Sequence, residues 1–212
     1  MYLLNIMAVS IDGKISSHSG ESDEERRNIG FVDDTDHELV ENELKQADAV
    51  IIGGDTLRAS GHIWAVKNYQ NIFPPWFVFT RNGFDKNLPF WNQNSVKRIL
   101  VSEKLFTREE HWHESVENIA YEDCSPASYV YNFLKHEGAK KVILFGGGYI
   151  NSMFYKEGLV DGLQLTLAPI IIGKKFASSF ISPHLTESIG LNLETSQVSK
   201  NHVFLRYSVK NP

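Results

Sequence analysis

Cysteine is almost absent from this sequence: Cys124 is the only one among 212 residues. A single thiol cannot close a disulfide within the chain, and no group of cysteines and histidines has the spacing of a zinc site. We therefore expect neither a disulfide nor a metal. Cys124 precedes Ser125 and Pro126 at an expected helix start, which favours a structural role for the thiol over a catalytic one.

Long apolar runs and clusters of basic residues are missing too. No apolar segment approaches the roughly 20 residues of a transmembrane helix. The first residues, MYLLNIMAVSIDGK, lack the basic start of a signal peptide. The net charge is −5, and no basic run offers a track for nucleic-acid phosphates. These absences predict a cytoplasmic protein that binds neither a membrane nor a nucleic acid.

The remaining composition is that of a globular domain, with 42% hydrophobic and 22% charged residues. No repeat or linker divides the chain, so residues 1–212 are expected to form one domain. Strands are expected at Leu3–Ser10, Ala49–Gly53, Trp76–Thr80, Arg98–Val101, Val116–Tyr121, Lys141–Phe145, Gly162–Ile172 and Val203–Val209. Helices are expected at Asp36–Gln46, Thr56–Ala59, Thr107–Trp112, Ser125–Glu137 and Asn151–Lys156. This alternation predicts a mainly parallel α/β sheet, and the last two strands, with no helix between them, predict an antiparallel hairpin.

Three consecutive glycines, Gly146 to Gly148, stand between an expected buried strand and an expected helix. Glycine lets a backbone come close to a ligand, and the amide groups at the start of a helix favour a phosphate. The pattern is not the GxGxxG fingerprint, and no acidic residue follows at the distance that binds a ribose. A plain chain reversal therefore remains the alternative to a phosphate site.

Three segments together resemble one protein family. They are Met7–Ile15 (MAVSIDGKI), Asp48–Thr56 (DAVIIGGDT), and Gly158–Gly173 (GLVDGLQLTLAPIIIG), which follows the glycine turn. In this order they resemble the reductase domain of the bifunctional riboflavin-biosynthesis protein, a member of the dihydrofolate reductase-like superfamily. The resemblance implies a mixed sheet of about eight strands, an NADPH cofactor, and a small-molecule substrate bearing a pyrimidine, pteridine or ribose. It also implies a homodimer, since such domains often form one.

The expected cofactor residues combine this resemblance with local chemistry. In the relatives, the threonine at Thr56 contacts NADPH, main-chain groups at Ala8 and Ile15 flank the nicotinamide, and a TRN segment like that at Arg81 contacts the 2′-phosphate. Arg58 is either a phosphate partner or a solvated helix charge, and Arg81 is either a phosphate partner or a turn residue. The expected set is Ala8, Ile15, Gly54, Thr56, Arg58, Thr80, Arg81, Ser102, Gly146, Gly147, Gly148, Tyr149, Ile150 and Asn151.

Three residues are candidates for proton delivery: Asp12, Lys14 and Asp36. Asp12 and Lys14 lie at the end of the first strand, where a turn ion pair is the alternative. Asp36 lies 20 residues before Thr56, which resembles the placement of the active-site carboxylate in dihydrofolate reductases. Its alternative role is helix capping. The polar stretch 16–30 is expected to be a mobile loop over the active site.

The expected substrate residues are Trp64, Lys67 and Phe145, and here the sequence departs from the family. Phe145 replaces a glutamate before the glycines, Lys67 replaces a phosphate-binding arginine, and the stretch before Asp48 has no arginine. Trp64 either stacks on a heterocycle or fills the core. Because of these departures, the sequence does not identify the substrate. They also keep two alternatives: a dihydrofolate reductase proper, although its usual proline–tryptophan pair is missing, and a nucleotide-binding protein without catalysis.

Overall fold

A nine-stranded sheet runs through residues 1–122 and 124–210, which the computed structural model describes. The order across the sheet is β5-β4-β3-β2-β6-β1-β7-β9-β8. Strands from β5 to β7 are parallel, whereas β9 runs antiparallel to both β7 and β8. The strands are β1 Tyr2–Val9, β2 Ala49–Gly53, β3 Trp76–Phe79, β4 Arg98–Ser102, β5 Val116–Ala120, β6 Lys141–Gly146, β7 Gly162–Leu167, β8 Leu191–Ser199 and β9 His202–Val209.

Helices cover both faces of the sheet, and most begin at a residue suited to that position. Ser125 caps α4, with Pro126 in its first turn, and Asp33 caps α2 by accepting from the amide of Asp36. The helices are α1 Asp23–Asn28, α2 Asp34–Leu44, α3 Gly54–Ser60, α4 Pro126–His136 and α5 Gly148–Lys156, with a 3-10 turn at Pro89–Asn92. No helix within the described ranges is long and apolar enough to cross a membrane.

Alternation along the strands builds two apolar layers. Leu4 and Ile6 of β1 point into one buried cluster, whereas Leu3 points into the cluster on the other face. Each fully buried leucine or isoleucine contributes roughly 1.5–3 kcal/mol relative to an exposed one. The two layers fix the parallel strands side by side, so that their carboxyl ends meet along one edge.

Two predictions about the C-terminal region are refined by the structure. The hairpin is confirmed, because β7 pairs antiparallel with β9, but the added strand β8 makes nine strands rather than about eight. β8 was missed because most of its residues are exposed, which leaves no alternation to detect. The strand expected at Gly162–Ile172 ends at Leu167, shortly before Pro169, which has no amide hydrogen for a ladder.

Two predictions of local structure are wrong. The expected helix Thr107–Trp112 is a loop, in which the Arg108 guanidinium donates to the carbonyls of Val116 and His113, both at 2.8 Å. The expected loop 16–30 contains helix α1, which begins with a reciprocal capping box between Ser22 and Glu25.

Candidate active site

A cleft of about 1240 Å³ opens where β1, β2, β3 and β6 end at the same edge of the sheet. β6 lies between β1 and β2, so the turns that follow β2 and β6 are neighbours. Ligands of open α/β sheets bind outside the carboxyl ends of the strands, which is the position of this cleft.

Two helices begin at the middle of the cleft, and glycines leave their first turns open. Neither the N-cap Gly53 of α3 nor the N-cap Gly147 of α5 provides a side-chain cap to the helix amides. Gly147 has a φ of 98°, and a Cβ built on it would lie 3.1 Å from the hydroxyl of Thr56. A Cβ on Gly148 would collide with the carbonyl oxygen of Ser179. The Ser179 carbonyl thus fills the space beside Gly148, whereas the space beside Gly147, which we call the glycine cradle, is walled by backbone amides and the Thr56 hydroxyl, a surface that suits a phosphate group.

Gly146 and Asn151 support this turn from behind and do not line the cleft. Asn151 is fully buried, and its Nδ2 donates to the carbonyl of Phe180 at 2.9 Å. Its Oδ1 accepts from Asn5 Nδ2 at 3.2 Å. Any side chain on Gly146 would collide with Asn151. The cofactor contacts predicted for these two residues are thus replaced by a supporting role.

One end of the cleft is formed by the turn after β3, as expected for Thr80 and Arg81. The Arg81 guanidinium lies over the exposed ring of Tyr149. Arg58 lines the cleft too, but its guanidinium donates to Asp55 at 2.7 Å and to the carbonyl of Gly83 at 2.8 Å. Arg58 therefore holds the turn together.

Ser102 lies outside the cleft wall, contrary to its expected position near an adenine. It is buried at the end of β4, and its hydroxyl donates to the carbonyl of Lys104 at 2.6 Å. That bond uses the hydroxyl hydrogen inside the loop that follows the strand.

The other end of the cleft is formed by Ala8 and Ile15, also as expected. A remote stretch, which we call the 178–182 segment, pairs with this end: the amide of Ile15 donates to the carbonyl of Ser178 at 2.8 Å. The same segment reaches the glycine cradle, because the amide of Ser182 donates to the carbonyl of Gly148 at 3.0 Å. Ile150 and Tyr149 of α5 line the space between.

Asp36 is a buried carboxyl group of the cleft, with 7% of its surface exposed, and Glu21 is another, whose carboxylate is bonded to Ser17. Burial raises its pKa above the ordinary value, and a hydrogen bond with Thr166 and the charge of Arg26 partly oppose that rise. The capping role belongs to Asp33, whose carboxylate accepts from the Asp36 amide at 3.0 Å. The Asp36 side chain is therefore free to serve the cleft.

Asp12 and Lys14, the other two candidates for proton delivery, do not line the cleft. The Asp12 carboxylate accepts from the amides of Ile172 and Gly173 at 3.0 and 2.8 Å and from the Ser10 hydroxyl. These hydrogen bonds, the one from Ser10 foremost, lower its pKa to about 2. An acid that gives up its proton so readily cannot keep one for a substrate near neutral pH.

The alternative role of Lys14 was a turn ion pair with Asp12, but its partner is Ser179. Its ammonium donates to the Ser179 hydroxyl at 3.0 Å, so it ties the end of β1 to the 178–182 segment. The structure thus places both residues in the loop framework around the cleft.

Of the three residues expected to bind the substrate, two line the cleft and one lies outside it. Trp64 lines the cleft, with its ring centre 4.9 Å from that of His37, and Phe145 lines it while stacking on Trp76 at 5.7 Å. The Lys67 ammonium instead lies 5.4 Å from the Phe73 ring and outside the cleft wall. Lys67 therefore cannot take the place of the phosphate-binding arginine that the resemblance implied.

Arg26 and His37 are cleft residues that the sequence reasoning missed. The guanidinium of Arg26 lies 4.8 Å from the Phe31 ring, and its buried Nε has no hydrogen-bond partner within the described ranges. Arg26 escaped prediction because the polar stretch 16–30 indicates a mobile loop, whereas His37 lies in a predicted helix without a signal of its own. The spacing of Ser22 and Glu25, a capping-box pattern, was the signal that could have revealed helix α1.

The sheet order and the cleft define an α/β protein of the dihydrofolate reductase-like class. A family model described as the RibD C-terminal domain matches residues 1–205. The chain therefore belongs to this family, as the sequence segments had indicated.

Similar proteins of known sequence carry one name, 2,5-diamino-6-ribosylamino-4(3H)-pyrimidinone 5′-phosphate reductase. The one from Archaeoglobus fulgidus is 26% identical over 185 residues, covering 81% of this chain and 82% of its own. The one from Aquifex aeolicus is 23% identical over 184 residues, covering 81% of this chain and 78% of its own. Pyrimidine reductases of this family need a reduced nicotinamide cofactor.

Solved structures share the fold across the whole chain. A pyrimidine reductase-like protein from Corynebacterium diphtheriae superposes with a TM-score of 0.79 at 22% identity, covering 100% of this chain and 92% of that one. Acinetobacter baumannii RibD gives a TM-score of 0.78 at 19% identity, with 99% of this chain matched to 58% of the longer protein.

Proposed function

We propose that this protein is an NADPH-dependent reductase of riboflavin biosynthesis, which acts on a pyrimidine that carries a ribosylamino group with a 5′-phosphate. The observation that carries the proposal is the joining, in one cleft, of a glycine-walled phosphate cradle and the buried acid Asp36. The names of the similar proteins supply the substrate class.

The residues of the cleft fit such a cofactor, because Gly147 leaves free a space beside the Thr56 hydroxyl that a Cβ would occupy. A reduced nicotinamide supplies hydride when it is bound. The amides after Gly147 and the Thr56 hydroxyl would hold the pyrophosphate, and Arg81 would hold a 2′-phosphate. Main-chain groups at Ala8 and Ile15 would orient the nicotinamide.

Asp36 is the proton donor in this proposal. A carboxylic acid whose pKa is raised by burial retains its proton at higher pH than an exposed one and can deliver it to the nitrogen of a reduced C=N group. The hydroxyl of Thr166 orients the carboxyl group. General acid catalysis of this kind is typically worth about 100- to 10,000-fold in rate.

The substrate would lie in the half of the cleft that contains Trp64, Phe145 and Arg26. The two aromatic rings offer flat surfaces to a pyrimidine. Arg26 is assigned to the substrate phosphate, because its guanidinium lines the cleft without a hydrogen-bonding carboxylate, whereas Lys67 lies outside. A guanidinium can bind a phosphate through two parallel hydrogen bonds.

The test is the oxidation of NADPH, followed by loss of its fluorescence, with two substrates offered separately. Oxidation with the phosphorylated ribosylaminopyrimidine supports the proposal. Oxidation with dihydrofolate alone would make the protein a dihydrofolate reductase proper. Binding of NADPH without oxidation by either compound would leave a nucleotide-binding protein without catalysis. The cytoplasmic location and the homodimer expected from the sequence stay predictions.

A further inference from the structure

His37 is held in the cleft by a contact that determines which ring nitrogen carries its proton. Its Nδ1 lies 2.6 Å from an Nη of Arg27. A guanidinium has five donors and no acceptor, so Nδ1 must accept this hydrogen bond. The neutral ring then carries its hydrogen on Nε2.

The position of the ring is fixed from two further sides. Arg27 is itself anchored by Asp34, whose carboxylate lies 2.9 Å from its other Nη. The indole of Trp64 packs against the His37 ring at 4.9 Å between centres and an interplanar angle of 53°. Within residues 1–122 and 124–210, Nε2 has no hydrogen-bond partner, although His37 lines the cleft.

Burial, together with the charge of Arg27, favours the neutral form of this ring. Burial lowers the pKa of His37 below its ordinary value, and the positive charge of Arg27 lowers it further. Asp36, Asp23 and Asp34 act in the opposite direction but do not reverse the shift. In this neutral form the contact with Arg27 places the hydrogen on Nε2, where it can be donated into the cleft.

We infer that His37 determines specificity by donating its Nε2 hydrogen to the carbonyl oxygen of the substrate's pyrimidinone ring, with Arg27 as its positioning residue. The inference rests on the proposed function. Trp64 supplies the reason for the choice of acceptor, since it packs against His37 and offers its face to the same flat ring. Asp36, the adjacent residue in α2, would then deal with the reacting group of the same substrate.

Two substitutions at one position separate the hydrogen bond from the packing. His37→Phe keeps a ring against Trp64 and removes the donor, whereas His37→Gln keeps a donor near the position of Nε2. We expect His37→Phe to raise KM for the ribosylaminopyrimidine by about 10- to 100-fold, since it leaves a buried carbonyl unpaired. We expect kcat to change little, His37→Gln to remain within about 5-fold of wild type, and the Kd for NADPH to be unchanged.

Arg27→Met tests the positioning role through pH. Without the guanidinium, the neutral ring loses the hydrogen bond that places its hydrogen on Nε2, so KM should rise; the loss should shrink toward acid pH, where the protonated ring carries a hydrogen on both nitrogens. His62→Phe is the matched control. His62 also lines the cleft, but its Nδ1 is bonded to the Ser60 carbonyl at 2.8 Å. His62→Phe should leave KM and the pH profile unchanged.

Substrate affinity measured by calorimetry gives a readout independent of turnover, and far-UV circular dichroism checks the fold of each variant. If wild type reduces the pyrimidine and a folded His37→Phe binds it equally well, the role of His37 is refuted while the proposed function stands. If both His37→Phe and His37→Gln lose affinity alike, packing rather than the donor matters, and the inference again fails. If wild type neither binds nor reduces the pyrimidine, the proposed function itself fails, and the inference with it.

Discussion

The guanidinium carbon of Arg81 lies 5.6 Å from the centre of the Tyr149 ring, which joins the turn after β3 to the first turn of α5. Such a contact at an exposed site is worth about 0.5–1 kcal/mol. That is enough to favour one direction for the side chain. This energy is smaller than that of the charge-assisted hydrogen bonds that the same guanidinium would make to a phosphate.

Arg81→Ala should therefore alter the choice between the two nicotinamide cofactors. We expect the variant to lose about 1.5–3 kcal/mol of NADPH binding, or roughly 10- to 150-fold in Kd, because it loses hydrogen bonds to the 2′-phosphate. The Kd for NADH should hardly change, since that cofactor has no such phosphate. Fluorescence titration with both cofactors measures the effect, and equal losses for the two would make Arg81 a structural residue.

Gly147→Ala should remove cofactor binding through the shape of the cradle. The new Cβ would lie 3.1 Å from Thr56 Oγ1, in the space proposed for the pyrophosphate. Gly138→Ala is the matched control, because its φ of 81° is also positive but no atom lies within 4 Å of the added Cβ. Each variant should lose about 1–2 kcal/mol of stability from backbone strain. Only Gly147→Ala should lose NADPH affinity, and wild-type affinity in that variant would refute the cradle.

Asp36→Asn should separate cofactor binding from turnover. The amide has no proton to donate at any accessible pH, so we expect kcat to fall by about 100- to 10,000-fold while the Kd for NADPH stays the same. In wild type, kcat should decline on the alkaline side as Asp36 loses its proton at a pKa above its ordinary value. A variant that kept full kcat and this alkaline limb would show that another group delivers the proton.

The same substitution should raise the thermal stability of the protein by an amount that depends on pH. Since the pKa of Asp36 is higher in the folded than in the unfolded state, ionisation of Asp36 destabilises the folded protein above the raised pKa. The difference in Tm between Asp36→Asn and wild type should thus be largest above the raised pKa and shrink as pH falls through the two pKa values. Thermal unfolding at several pH values measures it, and a difference that grows toward acid pH would contradict the burial argument.

Arg26→Ala should reduce the preference for a phosphorylated substrate. We expect kcat/KM for the 5′-phosphate to fall by roughly 10- to 100-fold, whereas kcat/KM for the dephosphorylated riboside should be nearly unchanged. Lys67→Ala, which removes the cation that the resemblance favoured, is the control and should affect neither. The assignment fails if Lys67→Ala produces the larger loss, or if Arg26→Ala weakens both substrates equally.

Features whose signals are local could be predicted from the sequence. The glycine turn is one, because three adjacent glycines after a buried strand restrict the backbone wherever they occur. Asp36 is another, although its spacing alone could not separate capping from catalysis. The structure excludes the capping role, since the neighbouring Asp33 takes the cap and Asp36 is bonded to Thr166, while the catalytic role stays a prediction.

Several predictions that depended on the direction of a side chain were wrong about which residues line the cleft. Ser102 and Asn151 lie within the expected elements, yet their polar groups bond to the carbonyls of Lys104 and Phe180. Those carbonyls belong to loops whose course cannot be read from periodicity. Arg26 illustrates the opposite case: it belongs to helix α1 in a stretch expected to be a loop, and its guanidinium lies over the Phe31 ring.

The 178–182 segment has a consequence for the length of ligand that the cleft accepts. Its first residue is bonded to Ile15 and its last to Gly148, so these five residues set the separation between the Ala8 and Ile15 end of the cleft and the glycine cradle at its middle. One residue of extended chain spans about 3.3–3.6 Å, whereas a hydrogen bond tolerates only a few tenths of an ångström. Deleting a single residue there would therefore change the distance between the proposed nicotinamide wall and the glycine cradle by more than their hydrogen bonds tolerate. The backbone of a remote loop would thus set the distance between the nicotinamide and the phosphates of the proposed cofactor.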